Sequence, residues 1–380
     1  MSGDPRKRSL RVALVVPHIF VCDGIRENVI FSPGELALAL AKGLENSGIN
    51  VTLCTPGAVK CGVKNITADM SGFERELRGR GYGYMELLKK HPYTFIGLAR
   101  QMQAELVSGV YERANDGEFD VVHIYTNEED IALQFANLCQ KPVVFTHHDP
   151  YNFLIKYKSV FPRYKHLNFV SVSMAQRKTM PDGTNWVGNI YHGVDLRAYE
   201  PRYGNLEEKD EYFAYLGRII EPKGIHKAIE AAKRCEMKLK IAGKHYADGG
   251  KDQYWDEVIE PELDELVEYV GYLKDEKKLE FLRGAKALIV PSVFDEPFGM
   301  VTIEALACGT PVIGSDAGAT PEIIEDGRNG FIASTVEEIA KAMKQISSIE
   351  RRECRKSLEE KFTLSEMLKE HIELYERLIR

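Results

Sequence analysis

Hydrophobic positions along the chain follow two alternating patterns. Short runs rich in Val and Ile have the length of a β-strand, and between them lie stretches with apolar residues at helical spacing, such as ELALALAKGLENSG at 35–48. Runs that are apolar throughout and alternate with helices are typical of a parallel sheet covered by helices on both faces. The pattern therefore predicts an α/β protein.

The strand-like runs form two series. The first comprises RVALVVP, NVTLCTP, DVVHIY, PVVFTHH and NFVSVS, and the second comprises YFAYLGRI, KLKIAGK, VEYVGYL, ALIVPS, PVIGS and GFIAS. Between the two series lies GVDLRAYEPRYGNLEEKDE, whose polar character and Pro and Gly suit a linker. We predict two doubly wound, Rossmann-like domains facing across a cleft. The N-terminal domain spans 1–195 with part of 362–380, through a returning C-terminal helix; the linker spans 196–209 and the C-terminal domain 210–361.

Composition supports two domains and excludes several classes. A chain of 380 residues with 44% hydrophobic and 28% charged residues can bury two cores. The basic start followed by an apolar run superficially resembles a signal peptide, but Arg11 and Pro17 interrupt the run, which favours a first strand. No apolar run is long enough to span a membrane, and seven cysteines without a Cys-x-x-Cys pair predict neither a disulfide framework nor a zinc site. The expected location is the cytoplasm.

Charge is unevenly divided between the two halves. Residues 1–195 hold 22 basic and 20 acidic residues, and 196–380 hold 28 and 37, which gives net charges of +2 and −9. An acidic total argues against nucleic acid as the main partner. The stretch 151–180 has no acidic residue and mixes aromatic with basic residues. We favour the interpretation that this stretch forms a solvated helical face followed by a buried strand. The alternative is that it binds an anionic acceptor or makes peripheral contact with the inner membrane face.

The segment FDEPFGMVTIEALACGTPVIG at 294–314 carries the first candidate chemistry. It follows a predicted strand and enters a helix, where exposed N–H groups favour an anion such as phosphate and Gly299 admits a close ligand. Glu304 would lie over one turn inside the helix and Glu296 in the loop before it, both able to accept hydrogen bonds from hydroxyl groups. A sugar nucleotide fits this arrangement. The alternative is that Glu296 only caps the helix and that Glu304 is an exposed charge on its surface.

A second set of residues decides between these interpretations. After the strand YFAYLG come Arg218 and, five residues later, Lys223, with a helix continuing beyond. A planar guanidinium and a compact ammonium together would neutralise a diphosphate at a helix start. Either residue alone would be an ordinary surface cation. Two such sites at strand ends of one sheet favour a sugar-nucleotide site.

These segments resemble the C-terminal domain of retaining glycosyltransferases with the GT-B fold, specifically the large family 4 of the group 1 type. The residues that carry the resemblance are YLGRIIEPKGIHKAIEA, VEYVGYL and VPSVFDEPFGMVTIEALACGTPVIGSDAGATPEIIEDGRNGF. The N-terminal half is similar more loosely, through DVVHIY, VVFTHH, SVS and IYHGVD. The two glutamates separated by seven residues, with Pro-Phe-Gly between them, form the most specific part of the pattern.

The resemblance implies a role for each matching residue. Arg218 and Lys223 would hold the diphosphate, Glu304 the ribose, and Glu296 with the backbone of Phe298–Val301 the donor sugar. Tyr272 and Leu273 would lie against the base. The implied catalytic residues are Arg218, Lys223, Glu296 and His148, and the implied donor-binding residues are Gly34, Gly217, Tyr272, Leu273, Phe298, Gly299, Met300, Val301 and Glu304.

The N-terminal domain departs from the family in one respect. Members of the family often place two glycines between the first strand and the first helix, whereas FSPGELALAL has Pro33 in place of the first and Gly34 as the second. The preceding loop, HIFVCDGIRENVIFS, is long and is expected to shape acceptor binding. His148 matches a family histidine that points at the donor sugar; the alternative is a structural histidine.

The expected reaction is transfer of a hexose from a UDP- or GDP-linked donor to a hydroxyl of a sugar, lipid-linked or small-molecule acceptor. The resemblance implies retention of anomeric configuration, with the departing phosphate helping to take the acceptor proton. Arg218 and Lys223 would stabilise the leaving diphosphate, and the chain contains no Asp-x-Asp, so no metal or other cofactor is expected.

Three alternatives share parts of this pattern. A sugar-nucleotide epimerase would interconvert free sugar nucleotides without an acceptor, and a non-catalytic sensor would bind the donor without turnover. A pyridoxal phosphate-dependent phosphorylase would need a longer chain. A dehydrogenase is disfavoured because no Gly-x-Gly-x-x-Gly follows a strand.

Overall fold

The computed structural model describes residues 9–203, 211–245 and 252–380. The chain falls into two units. Unit 1 consists of Met1–Val172, Lys178–Ile190 and Leu368–Arg380, and unit 2 consists of Ser173–Arg177 and Tyr191–Met367.

Unit 1 is built on a sheet that has seven parallel strands within the described residues. The strands are β1 Arg11–Val15, β2 Asn50–Thr55, β3 Lys64–Thr67, β4 Val121–Tyr125, β5 Val143–Thr146, β6 Asn168–Ser171 and β7 Trp186–Asn189. Their order is β3-β2-β1-β4-β5-β6-β7. The central strands β1 and β4 are almost entirely buried, because helices cover a parallel sheet on both faces.

The helices around the unit 1 sheet come mostly from the segments between its strands. They are α1 Ser32–Asn46, α2 Ser71–Arg80, α3 Tyr84–Lys90, α4 Pro92–Asn115, α5 Asp130–Phe135 and α6 Ile155–Tyr164. In the stretch 151–180, Tyr157 and Phe161 on α6 are buried, whereas Phe153 and Ile155 are exposed. The stretch thus combines core packing with an exposed apolar end.

Unit 2 is built on a sheet of six parallel strands within the described residues. The strands are β8 Tyr212–Leu216, β9 Leu239–Ala242, β10 Val267–Gly271, β11 Ala285–Val290, β12 Val312–Gly314 and β13 Gly330–Ile332, in the order β10-β9-β8-β11-β12-β13. Its helices are α7 Met174–Arg177, α8 Ile225–Cys235, α9 Asp275–Gly284, α10 Met300–Ala307, α11 Thr320–Ile323, α12 Val336–Gln345 and α13 Arg351–Lys361. The predicted fold class of two doubly wound parallel sheets is confirmed.

The last helix, α14 Leu364–Leu378, begins in unit 2, and Leu368–Arg380 belongs to unit 1. This placement matches the predicted return of the C-terminal helix to the N-terminal domain. Of the predicted linker 196–209, residues 196–203 belong to unit 2 and 204–209 lie outside the described residues. In the part of the chain that the structure describes, no helix is both long and apolar enough to cross a membrane.

Candidate functional site

Two loops of unit 2, one after β8 and one after β11, lie against each other. The two strands are neighbours in the sheet, so their carboxyl ends share one edge. Gly224 has φ of +68°, and a Cβ at this residue would lie 2.0 Å from the carbonyl oxygen of Pro291. The Val293 N–H also donates to the carbonyl of Pro222 at 2.9 Å. Glycine at position 224 therefore permits both the backbone conformation and the contact between the loops.

The contact between the loops joins two of the predicted catalytic residues. Lys223 Nζ lies 2.6 Å from Glu296 Oε2, and both side chains are largely buried. The hydroxyl of Ser292 donates to Glu296 Oε1, and Lys223 Nζ lies 5.3 Å from the centre of the Phe294 ring. Both carboxylate oxygens of Glu296 therefore have partners. The sequence predicts separate contacts with the ligand for Lys223 and Glu296, and here they are partners of each other.

A third segment fixes the backbone around Glu296. The Ala319 N–H donates to the carbonyl of Glu296 at 3.0 Å, and the Gly318 N–H donates to Asp295 Oδ1 at 2.9 Å. A Cβ at Gly318 would lie 2.3 Å from the Glu296 carbonyl oxygen, so only glycine allows this approach. The loop that carries Glu296 is thus held from both sides.

Arg218 follows β8 and contrasts with Lys223, because its side chain is exposed. Its backbone is fixed, since the Tyr215 hydroxyl donates to the Arg218 carbonyl at 2.7 Å and the Gly217 N–H donates to Ala242 at 3.1 Å. Burial, followed by the charge of Glu296, raises the pKa of Tyr215 well above its ordinary value, so this hydroxyl remains a donor. Among the described residues, no acidic side chain pairs with the Arg218 guanidinium. Arg218 can therefore bind an anion without first breaking an ion pair.

The amino terminus of α10 presents backbone N–H groups beside this edge of the sheet. Gly299 has φ of +100° and directly precedes Met300 and Val301, the first residues of the helix. The first N–H groups of a helix lack intrahelical partners and attract negative charge. The Phe298 ring is buried and packs against His192 at 4.9 Å between ring centroids. The side chain of Phe298 therefore belongs to the core, and only its backbone can contact a ligand.

Glu304 lies on α10 and is held through one carboxylate oxygen. Tyr199 donates to Oε1 at 2.9 Å, and Lys278 Nζ lies 2.7 Å from the same oxygen. Burial, followed by the charge of Glu304, raises the pKa of Tyr199. Arg355 in turn donates to the Tyr199 carbonyl at 2.6 Å. Within the described residues, Glu304 Oε2 has no hydrogen-bond partner, so this oxygen can accept from a ligand.

Tyr272 and Leu273 directly follow β10, on the far side of β9 from the β8 loop. Tyr272 is 37% exposed, and Lys244 Nζ lies 4.4 Å from the centre of its ring. Lys274 Nζ lies 5.5 Å from the same ring. The ring is therefore partly accessible and is flanked by cations that contact its π-system.

Gly34 and His148 belong to unit 1, whereas the other eleven predicted site residues belong to unit 2. Gly34 lies in the first turn of α1, where a Cβ would lie 2.7 Å from the Phe31 ring. His148 follows β5, its backbone N–H donates to Asn127 Oδ1 at 3.1 Å, and its ring meets the Tyr125 ring edge-on at 4.7 Å.

Sequence reasoning missed three side chains that orient the predicted carboxylates, namely Ser292 beside Glu296 and Tyr199 and Lys278 beside Glu304. Ser292 has a weak signal, since it stands at the end of the predicted strand four residues before Glu296. Tyr199 and Lys278 stand 105 and 26 residues from Glu304 and carry no local pattern. Their roles follow only from the fold.

Comparison with known proteins identifies relatives of part of the chain. Residues 199–362 match the family described as "Glycosyl transferases group 1". Phosphatidyl-myo-inositol mannosyltransferase of Mycobacterium leprae is 28% identical over 264 residues, which are 63% of this chain and 67% of that protein. Glycogen synthase of Mycobacterium tuberculosis is 33% identical over 153 residues, which are 37% of this chain and 34% of that protein. The match spans only part of each of these relatives.

A solved structure is similar over almost the whole chain. HepE of Anabaena, in complex with UDP and glucose, gives a TM-score of 0.69 at 16% identity, covering 97% of this chain and 100% of that chain. At this level of identity the likeness concerns the fold, and it confirms the predicted GT-B architecture.

Proposed function

We infer the activity of the protein from one premise, that residues 199–362 belong to the glycosyltransferases group 1 on a chain with the GT-B fold. This match supports the predicted enzyme class, a glycosyltransferase, and a nucleotide sugar as its sugar donor. We propose that the donor is a UDP- or GDP-linked hexose and that a hydroxyl group of an acceptor receives the hexose. HepE, a protein of the same fold, was solved with UDP and glucose, which supports a donor of this kind.

The proposal rests on the ion pair between Lys223 and Glu296, with the exposed Arg218 in the same loop as Lys223. Arg218 would bind the diphosphate directly, and Lys223, which pairs with Glu296, would bring the same diphosphate close to the carboxylate that would accept hydroxyl groups of the sugar. The N–H groups at the start of α10 would add further donors to a phosphate. One edge of the sheet thus offers cations for a diphosphate and a carboxylate for a polyol.

The remaining donor contacts follow from the same edge of the sheet. Glu304 Oε2 would accept from the ribose hydroxyls while Tyr199 and Lys278 hold the other oxygen. Tyr272 would lie against the base. Bidentate or paired hydrogen bonds to a fixed carboxylate are stronger than those to a mobile one, because less conformational freedom is lost on binding.

For the mechanism, we propose family 4 chemistry with retention of configuration and without a metal ion. Negative charge grows on the diphosphate as the sugar departs, and Arg218 and Lys223 would stabilise that charge electrostatically. The departing phosphate would take the acceptor proton on the same face of the sugar. His148, in unit 1, is proposed to contact the donor sugar.

The decisive experiment measures thermal stabilisation and slow hydrolysis of a panel of sugar nucleotides, with and without EDTA. We expect one UDP- or GDP-sugar to stabilise the protein and to be hydrolysed, and we expect EDTA to reduce the rate of hydrolysis only slightly. Glu304→Ala should weaken binding of this donor and of its free diphosphate alike, by about 1.5–3 kcal/mol, the size of hydrogen bonds to a charged group. Glu280→Ala, an exposed change in unit 2, serves as the control.

Three outcomes would contradict parts of the proposal. Complete loss of donor hydrolysis in EDTA, restored by magnesium or manganese, would exclude the metal-independent mechanism. Interconversion of sugar nucleotides without an acceptor would indicate an epimerase. Tight donor binding without hydrolysis or transfer would indicate a non-catalytic binding protein.

A further inference from the structure

Unit 1 contains a cavity of about 170 Å³ between the loop that follows β1 and the helices α3 and α4. Most of its wall is apolar and includes Ile19, Phe95, Ile96 and Ala99. Ile96 is 52% exposed and therefore lies where the cavity opens to solvent. An apolar cavity of about 150 Å³ in another protein binds benzene, so this volume suits a single six-membered ring.

The polar residues that line the cavity include His18 and Glu128. The backbone N–H of Phe20 donates to His18 Nδ1 at 3.2 Å, which leaves the hydrogen of the neutral imidazole on Nε2. Burial lowers the pKa of His18, so the neutral form predominates near pH 7. His18 thus supplies a donor and Glu128 supplies an acceptor, which is the pair that a hydroxyl group needs.

Glu128 is held in place at a conformational cost. Its φ of 66° lies in the left-handed region, which is unfavourable for a residue with a side chain. The Gln103 amide donates to Glu128 Oε2, and Lys156 Nζ lies 3.9 Å from Oε1. Backbone strain that surrounding contacts maintain is often found at ligand sites. The carboxylate is therefore positioned before any ligand arrives.

The charges around the cavity disfavour an anionic ligand. Arg100, which also lines the cavity, is committed to Asp130, with contacts of 3.1 and 2.6 Å to its two carboxylate oxygens. Lys156 is shared between Glu128 and Asp130, at 3.9 and 3.7 Å. Arg100 and Lys156 thus each already have a carboxylate partner, and a phosphate that bound either cation would have to displace that partner. A neutral hydroxyl group needs no such exchange.

We propose that this cavity binds the acceptor through a neutral, largely apolar ring whose hydroxyl group lies between His18 Nε2 and Glu128. The proposal rests on the proposed function, because it makes the occupant the acceptor of the sugar. His18 and Glu128 determine specificity by favouring a ring alcohol over a ring phosphate. A ring with a hydroxyl group on every carbon is also disfavoured, because the apolar wall would leave most of those hydroxyl groups without hydrogen-bond partners.

The test uses benzyl alcohol as the probe, with phenyl phosphate and myo-inositol as comparison ligands and no donor present. We expect benzyl alcohol to bind and the other two to bind at least tenfold more weakly. Ala99→Leu, which fills the cavity, should weaken the binding of benzyl alcohol at least tenfold. Gln101→Leu, an exposed change on the same helix, should leave it unchanged. Ile96→Trp, at the exposed mouth, provides a second blocking variant if Ala99→Leu does not fold.

The outcomes separate this proposal from the proposed function. Equal binding of benzyl alcohol to the wild type and to both blocking variants, or preferential binding of phenyl phosphate, would overturn the cavity assignment. With the donor identified by its hydrolysis, benzyl alcohol should be glycosylated by the wild type and at least tenfold more slowly by the blocking variants. Donor hydrolysis without such transfer would overturn the acceptor assignment, whereas absence of any donor turnover would count against the proposed function.

Discussion

At the scale of single residues, the ion pair between Lys223 and Glu296 changes what each residue contributes. A carboxylate 2.6 Å from an ammonium neutralises most of its charge, so the cation that would face a diphosphate is partly compensated. Arg218 has no such partner among the described residues and would supply the larger attraction in the ground state. Lys223 would attract the diphosphate more strongly if Glu296 turned toward the sugar hydroxyls. The pair therefore couples sugar binding to diphosphate binding.

This coupling predicts opposite effects of one substitution on two measurements. Glu296→Gln should raise the affinity for the free nucleoside diphosphate by roughly two- to tenfold, because Lys223 is no longer neutralised and gains a charge-assisted contact. The same variant should slow sugar transfer, since the amide is a poorer acceptor for the sugar hydroxyls. Calorimetry with UDP and GDP, beside saturation kinetics with the donor, measures both.

Ser292→Ala is the matched control, because it removes a neutral contact to the same carboxylate. Its diphosphate affinity should remain within about twofold of the wild type, because a neutral hydrogen bond changes no charge. A Glu296→Gln variant that binds the free diphosphate more weakly than the wild type would contradict the coupling.

The sequence predicts which residues carry charge at the site but not how they pair. Lys223 and Glu296 are each identified from a local pattern that follows a predicted strand. Their pairing depends on the close approach of two loops that stand about seventy residues apart, and no local pattern encodes that approach. Tyr199 and Lys278 were missed for the same reason, since both reach Glu304 through tertiary packing.

At the scale of secondary-structure elements, the donor site depends on the contact between the β8 and β11 loops. Gly224→Ala and Gly327→Ala both place a side chain at positive φ, of 68° and 78°, which alone costs about 1–2 kcal/mol. Only at Gly224 would the new Cβ also overlap a backbone oxygen, that of Pro291; Gly327 has nothing within 4 Å. The two variants therefore separate backbone strain from disruption of the loop contact.

We expect Gly224→Ala to lower the free energy of unfolding by about 2 kcal/mol more than Gly327→Ala, because the loop backbone must move. It should also weaken diphosphate binding at least tenfold, because Lys223 and the 291–299 loop would shift together. Denaturant unfolding and calorimetry on both variants measure these effects. Equal diphosphate affinity in the two variants would show that the loop contact does not position the site.

Within the described residues, the central strands of both sheets, which are largely buried, are all predicted from the sequence. Central strands such as β4 read as continuous apolar runs, and their positions agree with the structure to within a few residues. The strands that were missed are β3, with sequence KNIT, and β7, with sequence WVGN, at the two edges of the unit 1 sheet. Both are short, and neither contains a fully buried residue, so their hydrophobic signal is weak.

At the scale of the whole molecule, unit 1 is completed by the end of the chain. The Tyr375 hydroxyl lies 2.7 Å from His123 Nδ1, and His123 Nε2 lies 2.8 Å from Thr146 Oγ1. Burial lowers the pKa of His123 well below its ordinary value, so the ring is neutral and both nitrogens need a partner. Thr146 ends β5, two residues before His148. The C-terminal helix is therefore hydrogen-bonded, through His123, to the strand that positions His148.

Tyr375→Phe tests whether this connection stabilises unit 1 alone. The change keeps the ring and removes the hydroxyl, which leaves a buried nitrogen of His123 without its partner and should lower the free energy of unfolding of unit 1 by about 1–3 kcal/mol. Glu373→Gln, on the exposed face of the same helix, should have no measurable effect. Because Arg218, Lys223 and Glu304 all lie in unit 2, the affinity of the protein for the free diphosphate should stay unchanged in both variants.

The two tryptophans of the chain allow each unit to be followed separately. Trp186 lies on β7 in unit 1, and Trp255 lies in unit 2, so Trp255→Phe and Trp186→Phe leave one fluorescent reporter in each unit. In the Trp255→Phe background, Tyr375→Phe should shift the denaturant midpoint of the Trp186 signal downward. In the Trp186→Phe background, Tyr375→Phe should leave the denaturant midpoint of the Trp255 signal unchanged when it is measured with saturating diphosphate, because ligand binding stabilises unit 2 independently of His123. Equal shifts of both signals would show that the two units unfold as one cooperative structure, and an unchanged Trp186 midpoint would show that the hydrogen bond to His123 does not stabilise unit 1.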